Sequence, residues 1–263
     1  MAPWEFRAKA RDQIARYPTA FLRNGTVTSI TRTGDNSSFL TTISDGQKYM
    51  SRKIILATGI EDILPSTPGI LEAWGGGMYW CTWCDSWEHR DQPLGIITRF
   101  GPDIVKTVLS VINLNKDIIV FVNGTDTPAA RDRASSASPD WLAQLDKLRV
   151  KVENKTITAI ERLQDGGEVR NSQLWQEYDI FEVRLEDGTR IQRGAFLISL
   201  PNRQHSYLGA EIGVDVFNER IRVDPTSMRA APGVWGIGDA NNDSTTNVPH
   251  ALYTGKKAAV NAH

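Results

Sequence analysis

Two kinds of hydrophobic pattern alternate along the chain, and together they predict a mixed α/β protein. Short apolar runs at 94–97, 118–122 and 195–200 have the length and composition of buried strands. Between the first two runs, apolar residues recur at helical spacing from Ile104 to Ile112. This order predicts a βαβ unit and therefore a parallel sheet.

Other segments predict smaller elements around that sheet. Alternating residues at 27–31 and 39–43 indicate antiparallel strands, and Asp187-Gly188 indicates a tight hairpin between two more. Helices are predicted at 3–16, where Pro3 suits a first turn, and at 138–148, with Ser138 as the cap. A last helix is predicted to open at 247–252.

Composition excludes several classes of function. The 263 residues are 40% hydrophobic and 23% charged, with a net charge of −1 and no basic run. Nucleic acid and anionic membrane surfaces are therefore not expected partners. No apolar run approaches the roughly 18 residues that a membrane span needs, and no apolar leader follows Met1. We expect an intracellular, cytoplasmic protein without a membrane segment.

Both cysteines of the chain lie in one short motif, Cys81-Thr82-Trp83-Cys84. This spacing favours a redox-active pair, because a thiolate at a helix start is stabilised by unpaired N–H groups and the helix dipole. Two alternatives stay open at this point. Cys81, Cys84 and His89 would supply three ligands of a zinc site, although no further cysteine exists for a fourth. The pair could also be buried and inert.

Two further motifs suit the approach of a ligand. The apolar run 53–59 stops at Gly59, where backbone can come close to a bound group. Near the other end of the chain, Gly236-Ile237-Gly238-Asp239 closes a second short run, and Asn247-Val248-Pro249-His250 follows it.

Taken in order, these motifs resemble the thioredoxin reductase-like flavoproteins, the low-molecular-weight class II pyridine nucleotide-disulfide oxidoreductases. The segments 84–95 and 247–251 are most similar to the fungal branch, which includes dithiol oxidases of the gliotoxin type. The resemblance implies an α/β fold that is a remnant of two interrupted Rossmann-like domains. Residues 1–86 and 203–263 would form FAD-domain pieces, and 87–202 an inserted NAD(P)-domain-like part.

The resemblance also implies site residues, FAD as cofactor, no metal, and a homodimer. Cys81 would exchange with substrate and Cys84 would lie next to the flavin, with His250 as a proton acceptor. Asp239 would bind the ribityl chain. The remaining cofactor contacts would come from Val27, Ala57, Thr58, Gly59, Asn247 and Val248.

Two departures from the family pattern change the expected chemistry. Members begin with a strand, a Gly-x-Gly-x-x-Gly turn and a helix that hold the FAD pyrophosphate, and this sequence begins at what resembles the helix after that unit. In the second domain the corresponding turn reads Thr98-Arg99-Phe100-Gly101-Pro102. Its large side chains would obstruct a pyrophosphate, so NADPH binding is not expected.

The leading hypothesis is therefore an FAD-dependent thiol oxidase that closes the disulfide of a small-molecule dithiol in fungal secondary metabolism. A dithiol oxidase needs no NADPH, whereas a thioredoxin reductase does. The alternative is a flavin-free, degenerate member that serves a biosynthetic pathway as a nonredox binding protein or cyclase. A shortened piece of an active flavoenzyme, a natural degenerate member and a reused protein are three origins that the sequence leaves open.

Overall fold

The computed structural model describes residues 3–199, 201–243 and 245–263 of the chain. They form two compact units, and each is described by itself. Unit 1 comprises Met1–Glu61 and Asn202–His263, and unit 2 comprises Asp62–Pro201.

The secondary structure alternates short strands with a few helices. The first ten strands are β1 (Val27–Arg32), β2 (Phe39–Ile43), β3 (Lys48–Ser51), β4 (Ile54–Leu56), β5 (Ile60–Asp62), β6 (Met78–Tyr79), β7 (Leu94–Ile97), β8 (Ile118–Phe121), β9 (Lys151–Glu153) and β10 (Ile157–Gln164). They are followed by β11 (Arg170–Asn171), β12 (Gln176–Glu177), β13 (Ile180–Leu185), β14 (Arg190–Arg193), β15 (Ala195–Ile198), β16 (Asn202–Gln204), β17 (Val216–Phe217), β18 (Arg220–Ile221), β19 (Arg229–Ala231) and β20 (Val234–Gly236). The α-helices are α1 (Pro3–Ile14), α2 (Ile70–Ala73), α3 (Thr82–Asp85), α4 (Asp103–Val111), α5 (Pro128–Ala137), α6 (Trp141–Leu148) and α7 (Val248–Ala262), and short 3₁₀ turns lie at Ala210–Ile212 and Gly238–Ala240.

Unit 2 is built on a parallel five-stranded sheet in the order β6-β15-β7-β8-β9. Because side chains alternate between the faces of a strand, the sheet has two buried faces. Leu94 and Ile96 pack in one cluster with α4 and α6. Ile97 and Phe121 pack in the other, against the antiparallel sheet β10-β13-β14. The predicted βαβ unit is therefore present as β7-α4-β8.

Unit 1 contains two small three-stranded sheets, β1-β2-β3 and β19-β20-β4. In the second, β4 and β20 run parallel, so the predicted runs ending at Gly59 and Asp239 leave the same edge of the sheet. The last helix, α7, is capped by Asn247, whose side-chain oxygen accepts from the His250 N–H at 2.7 Å. This is the usual role of asparagine at a helix start.

The structure differs from the local predictions at three places. Ser138 does not cap the predicted helix, because it ends α5, and α6 begins after Asp140. Helix α5 was missed altogether, although Thr127 caps it by accepting from the Ala130 N–H at 3.2 Å. The predicted strand at 195–200 ends at Ile198, and Leu200 lies outside the described residues.

The compact units divide the chain differently from the predicted domains, which changed at 86/87 and at 202/203. Residues 62–86 belong to unit 2. The reason is β6, which pairs in parallel with β15 through Met78 and Tyr79. Because of this pairing, the cysteine motif belongs to unit 2, whereas the predicted second domain began just after the motif, at residue 87.

Candidate active site

Cys81 and Cys84 form a disulfide at the start of α3, with their Cα atoms 5.2 Å apart. Strand β6 leads into this turn, and Cys81 is the residue that precedes the helix. The N–H groups of Cys84 and Asp85 both donate to the Cys81 carbonyl at 3.2 Å. Cys84 is exposed and Cys81 is half-buried, so a substrate can reach the disulfide from solvent.

Three exposed tryptophans surround this disulfide in the sequence. Trp80 precedes Cys81, Trp83 stands between the cysteines, and Trp87 follows α3. Their exposed fractions are 44%, 90% and 56%. The Arg90 guanidinium stacks 4.1 Å from the Trp87 ring centre and donates to the Trp87 carbonyl at 2.6 Å. The residues around the cysteines in the sequence therefore expose large apolar rings.

Asp85 directly follows Cys84 and is the nearest carboxylate in the sequence. Burial raises its pKa, and repulsion from Glu88 and Glu177 raises it further, while His89 acts in the opposite direction. The Glu88 Oε2 atom is buried and has no hydrogen-bond partner among the described residues. A carboxyl group with a raised pKa beside a cysteine is suited to holding and delivering a proton.

A buried network of charged side chains lies next to this motif. His89 places Nδ1 2.9 Å from the Asp85 carbonyl oxygen and Nε2 3.3 Å from Asp179 Oδ2. Asp179 Oδ1 accepts from Arg162 Nε at 2.7 Å. His89, Glu177 and Asp179 also offer atoms within 4.8 Å of one another, as a metal site would require. However, both His89 nitrogens and Asp179 Oδ1 are already bonded, and a guanidinium at that carboxylate opposes a cation.

The same contacts bear on the zinc alternative. Cys81 and Cys84 are bonded to each other, and His89 has no ring nitrogen left to donate an electron pair to a metal. In this arrangement the three residues do not offer three free ligand atoms to one metal ion.

In unit 1, a cleft of about 360 Å³ brings together most of the predicted cofactor contacts. Its walls are Ala57, Gly59, Ile237, Gly238, Asp239, Asn247, Val248 and Ala251. Thr58 lies between two of these residues, and its buried hydroxyl has no hydrogen-bond partner among the described residues. Val27 is elsewhere in the unit, in β1, where it is paired with Ile43.

Asp239 and His250 also belong to this part of unit 1. Burial raises the pKa of Asp239, and the charges of His250 and Arg220 oppose that effect. His250 is itself buried, with Nε2 3.2 Å from Asp243 Oδ1 and 3.4 Å from the Gly238 carbonyl oxygen. Its ring therefore braces the loop that carries Asp239. The predicted proton acceptor lies in unit 1 and the cysteines in unit 2.

A second cleft, of about 630 Å³, lies in unit 2 at the carboxyl ends of β7 and β15. These strands meet where the strand order reverses, which is where open α/β sheets bind ligands. Its walls include the predicted obstructing turn 98–102. Phe100 packs edge-on against Trp141 at 5.0 Å, and the Arg131 guanidinium covers Phe100 at 5.1 Å.

Comparisons with known proteins agree with this architecture. Residues 7–255 match the pyridine nucleotide-disulphide oxidoreductase family. The chain belongs to that family. Its predicted resemblance and its α/β fold class are thereby confirmed.

Fungal proteins are among the most similar relatives of this oxidoreductase. A probable thioredoxin reductase of Arthroderma benhamiae is 42% identical over 99% of the chain and 67% of the relative. The thioredoxin reductase tcpT of Claviceps purpurea is 26% identical over 98% of the chain and 76% of the relative. The chain thus spans about two thirds to three quarters of their length.

Solved structures show the same fold. A putative thioredoxin reductase, TrxB, from Bacillus anthracis aligns with a TM-score of 0.81 at 22% identity, over 99% of this chain and 80% of its own. HlmI aligns with a TM-score of 0.79 at 23% identity, over 100% of this chain and 75% of its own. In the described part of the oxidoreductase, no helix is both long and apolar enough to cross a membrane.

Proposed function

We propose that the chain oxidises a small-molecule dithiol to a disulfide by exchange with Cys81–Cys84, in fungal secondary-metabolite biosynthesis. The observation that carries this proposal is the Cys81–Cys84 disulfide at an accessible helix start. The family performs thiol-disulfide redox chemistry, and the fungal resemblance of segments 84–95 and 247–251 supports the narrower substrate class.

The exchange proceeds in two thiolate attacks. A substrate thiolate attacks Cys81 Sγ, which breaks the protein disulfide and releases the Cys84 thiolate. The second substrate thiolate then attacks the mixed disulfide, which closes the substrate disulfide and releases Cys81. The substrate loses two electrons and two protons, and the cysteine pair is reduced to two thiols.

Asp85 is the group best placed to manage a proton during these steps. Because burial raises its pKa, it keeps a proton at higher pH than an ordinary aspartate does. We assign it to the protonation of the departing Cys84 thiolate, which it follows in the sequence. A proton supplied there prevents the thiolate from reversing the first attack.

The tryptophans support a small, flat substrate. Trp80, Trp83 and Trp87 flank the cysteines in the sequence and are exposed, and exposed aromatic faces bind planar, weakly polar rings through dispersion and stacking. A substrate dithiol carried on a ring system matches this surface.

Members of this family normally bind FAD, and the cleft of unit 1 fits a flavin. Asp239 lines this cleft and offers a carboxylate to ribityl hydroxyls. In the first turn of α7, Pro249 has no N–H, and the N–H groups of His250 and Ala251 both donate to Asn247, which leaves the Val248 N–H for a ligand. When bound, FAD would accept the electrons of the reduced cysteine pair and pass them to dioxygen.

We further propose that turnover needs no NADPH, because the turn 98–102 carries the large side chains of Arg99 and Phe100 where a nucleotide-binding turn has closely spaced glycines. A homodimer is proposed on the resemblance alone, and light scattering of the purified chain measures it.

The direct test is stoichiometric and needs no cofactor. Oxidised protein is mixed with a small dithiol without air, and protein thiols and substrate disulfide are both counted. We expect two protein thiols for each substrate disulfide, and none in the Cys81→Ser and Cys84→Ser variants. If the wild type gains no thiols while its disulfide remains reducible by phosphine, the proposal is wrong and the nonredox alternative replaces it.

A further inference from the structure

Arg162, Asp179 and His89 form a buried hydrogen-bonded network, which ends at the backbone of the redox motif. His89 and Asp179 are each 3% exposed. Placing charges in such an environment costs free energy unless every hydrogen-bonding atom is satisfied. Because His89 and Asp179 are buried, solvent and dissolved substrate do not reach them directly.

The hydrogen bonds fix the charge of His89. Nδ1 faces the Asp85 carbonyl oxygen at 2.9 Å, and Nε2 faces Asp179 Oδ2 at 3.3 Å. A carbonyl oxygen and an ionised carboxylate only accept hydrogen bonds. Both ring nitrogens thus face acceptors, and this arrangement favours the imidazolium form, in which each nitrogen carries a proton.

Asp179 is ionised for an independent reason. Burial alone would raise its pKa, but hydrogen bonds from His89, Gly166 and Arg162 outweigh burial and hold the pKa below its usual value. The Gly166 N–H donates to Oδ1 at 3.0 Å, and Arg162 donates to the same oxygen. For His89, burial opposes the charged form, but its bonds to Asp179 and to the Asp85 carbonyl prevail and raise its pKa.

Glycines from two separate segments make room for the Asp179 carboxylate. A Cβ at Gly77 would lie 2.6 Å from Asp179 Cγ, and Gly77 has a φ of +79°. A Cβ at Gly166 would lie 2.3 Å from Asp179 Oδ2. Real side chains do not approach so closely, so both positions require glycine for this carboxylate to occupy its place.

The network reaches the cysteines through Asp85. Helix α3 has only four residues, and its own N–H bonds converge on the Cys81 carbonyl. Its last carbonyl, on Asp85, receives the His89 N–H instead. The His89 charge also opposes the increase in the Asp85 pKa. Geometry and charge at the end of α3 thus both depend on His89.

We propose that His89, held by Asp179, is a positioning residue for the Cys81–Cys84 pair, fixing the end of α3 and keeping a positive charge next to Asp85, the residue that follows Cys84. This inference rests on the proposed exchange at the disulfide. A neighbouring cation favours thiolate over thiol. After reduction, at least one cysteine should therefore ionise at lower pH than an ordinary thiol.

Other charges facing the ring are accounted for. Glu177, at the end of β12, favours the imidazolium through its negative charge. Tyr79, from β6, packs against the ring with centroids 5.4 Å apart. Burial raises the Tyr79 pKa to about 12, so Tyr79 stays neutral at all pH values used below.

The test measures the acidity of the reduced cysteines without substrate or flavin. The rate of alkylation by iodoacetamide is followed against pH, and mass spectrometry assigns the modified residue. In His89→Gln, the amide can still donate to the Asp85 carbonyl, but the charge is lost. We expect the midpoint of the pH profile to rise by about one unit, which slows alkylation below the midpoint about tenfold.

Two further variants sharpen the comparison. Asp179→Asn removes the carboxylate that holds the ring protonated and should shift the midpoint in the same direction. His205→Gln removes an exposed histidine of unit 1 and should leave the profile unchanged. Circular dichroism and thermal unfolding establish that each variant is folded.

A folded His89→Gln protein with the wild-type alkylation profile would overturn the proposal. If the variants do not fold, the wild type decides, because ¹⁵N chemical shifts of the ring distinguish imidazolium from neutral imidazole. We expect an imidazolium at neutral pH, and a neutral ring would contradict the proposal. Failure to oxidise a dithiol would disprove the proposed function but would leave these thiol measurements valid.

Discussion

The two sites differ in whether their polar groups are hydrogen-bonded within the protein. In unit 2, His89, Asp179 and Arg162 are bonded to one another. In the cleft of unit 1, Asp239 accepts no hydrogen bond from a described residue, and the Thr58 hydroxyl has none either. A self-satisfied network suits a redox group that is part of the chain. Open acceptors suit a site completed by a ligand.

The largest effect on activity is expected from substitution of a cysteine. Cys84→Ser removes the sulfur that must leave in the first attack, so dithiol oxidation should fall below about 1% of the wild-type rate. Substrate oxidation assayed by thiol loss measures it. A Cys84→Ser protein with substantial activity would show that the disulfide is not the reacting group.

The next largest effect concerns the packing behind the redox motif. Gly166→Ala places a methyl group against Asp179, and relief of that clash should cost about 2–4 kcal/mol of unfolding free energy. Gly101→Ala is the matched control in unit 2, since its methyl group would meet no atom within 4 Å. Chemical denaturation measures the free energy of unfolding of both variants. Equal values would contradict the close packing of Gly166 against the Asp179 carboxylate.

In unit 1, Asp239→Asn should have opposite effects on stability and on ligand binding. The raised pKa of Asp239 means that its charged form is unfavourable in the folded protein. The wild type therefore loses stability as pH rises through that pKa. Without ligand, Asp239→Asn should be more stable than the wild type near neutral pH, and this difference should vanish in acid.

The same Asp239→Asn substitution should lower the flavin content of the purified protein, because it replaces an acceptor-only carboxylate with an amide. Flavin absorbance per chain measures the content, and thermal unfolding against pH measures the stability. If flavin content is unchanged, Asp239 does not contact the cofactor.

The smallest predicted effect is at the exposed aromatic surface. Trp83→Ala removes a side chain that is 90% exposed and should raise the KM for a cyclic dithiol about fivefold, equivalent to about 1 kcal/mol of stacking. Trp4→Ala, at an exposed tryptophan of α1 in unit 1, is the control. Equal KM values in both variants would remove the tryptophans from the substrate site.

Local patterns predicted the parts of the fold that local forces determine. The βαβ unit follows from apolar periodicity, and the hairpin between β13 and β14 follows from Asp187-Gly188. The Cys81–Cys84 pair is recognisable because its two members are three residues apart. The family resemblance singled out Asp239 and Asn247, and both residues line one cleft.

What the sequence did not reveal depends on contacts between distant segments. Arg162, in β10, and Asp179, just before β13, are distant from the cysteines in the sequence. No spacing rule connects them to His89. Gly77 and Gly166 were the available signals, but each resembles an ordinary turn glycine until its neighbours are known. Helix α5 was missed because its residues lack an apolar stripe, and only Ala130 and Ala134 of that helix are buried.

The visible spectrum of the purified chain, recorded during titration with a small dithiol without air and then after air is admitted, tests the central claim most directly. We expect a yellow protein whose flavin band is bleached by the dithiol and restored by air, with no NADPH added. A colourless protein, or a flavin band that the dithiol leaves unchanged, would contradict it.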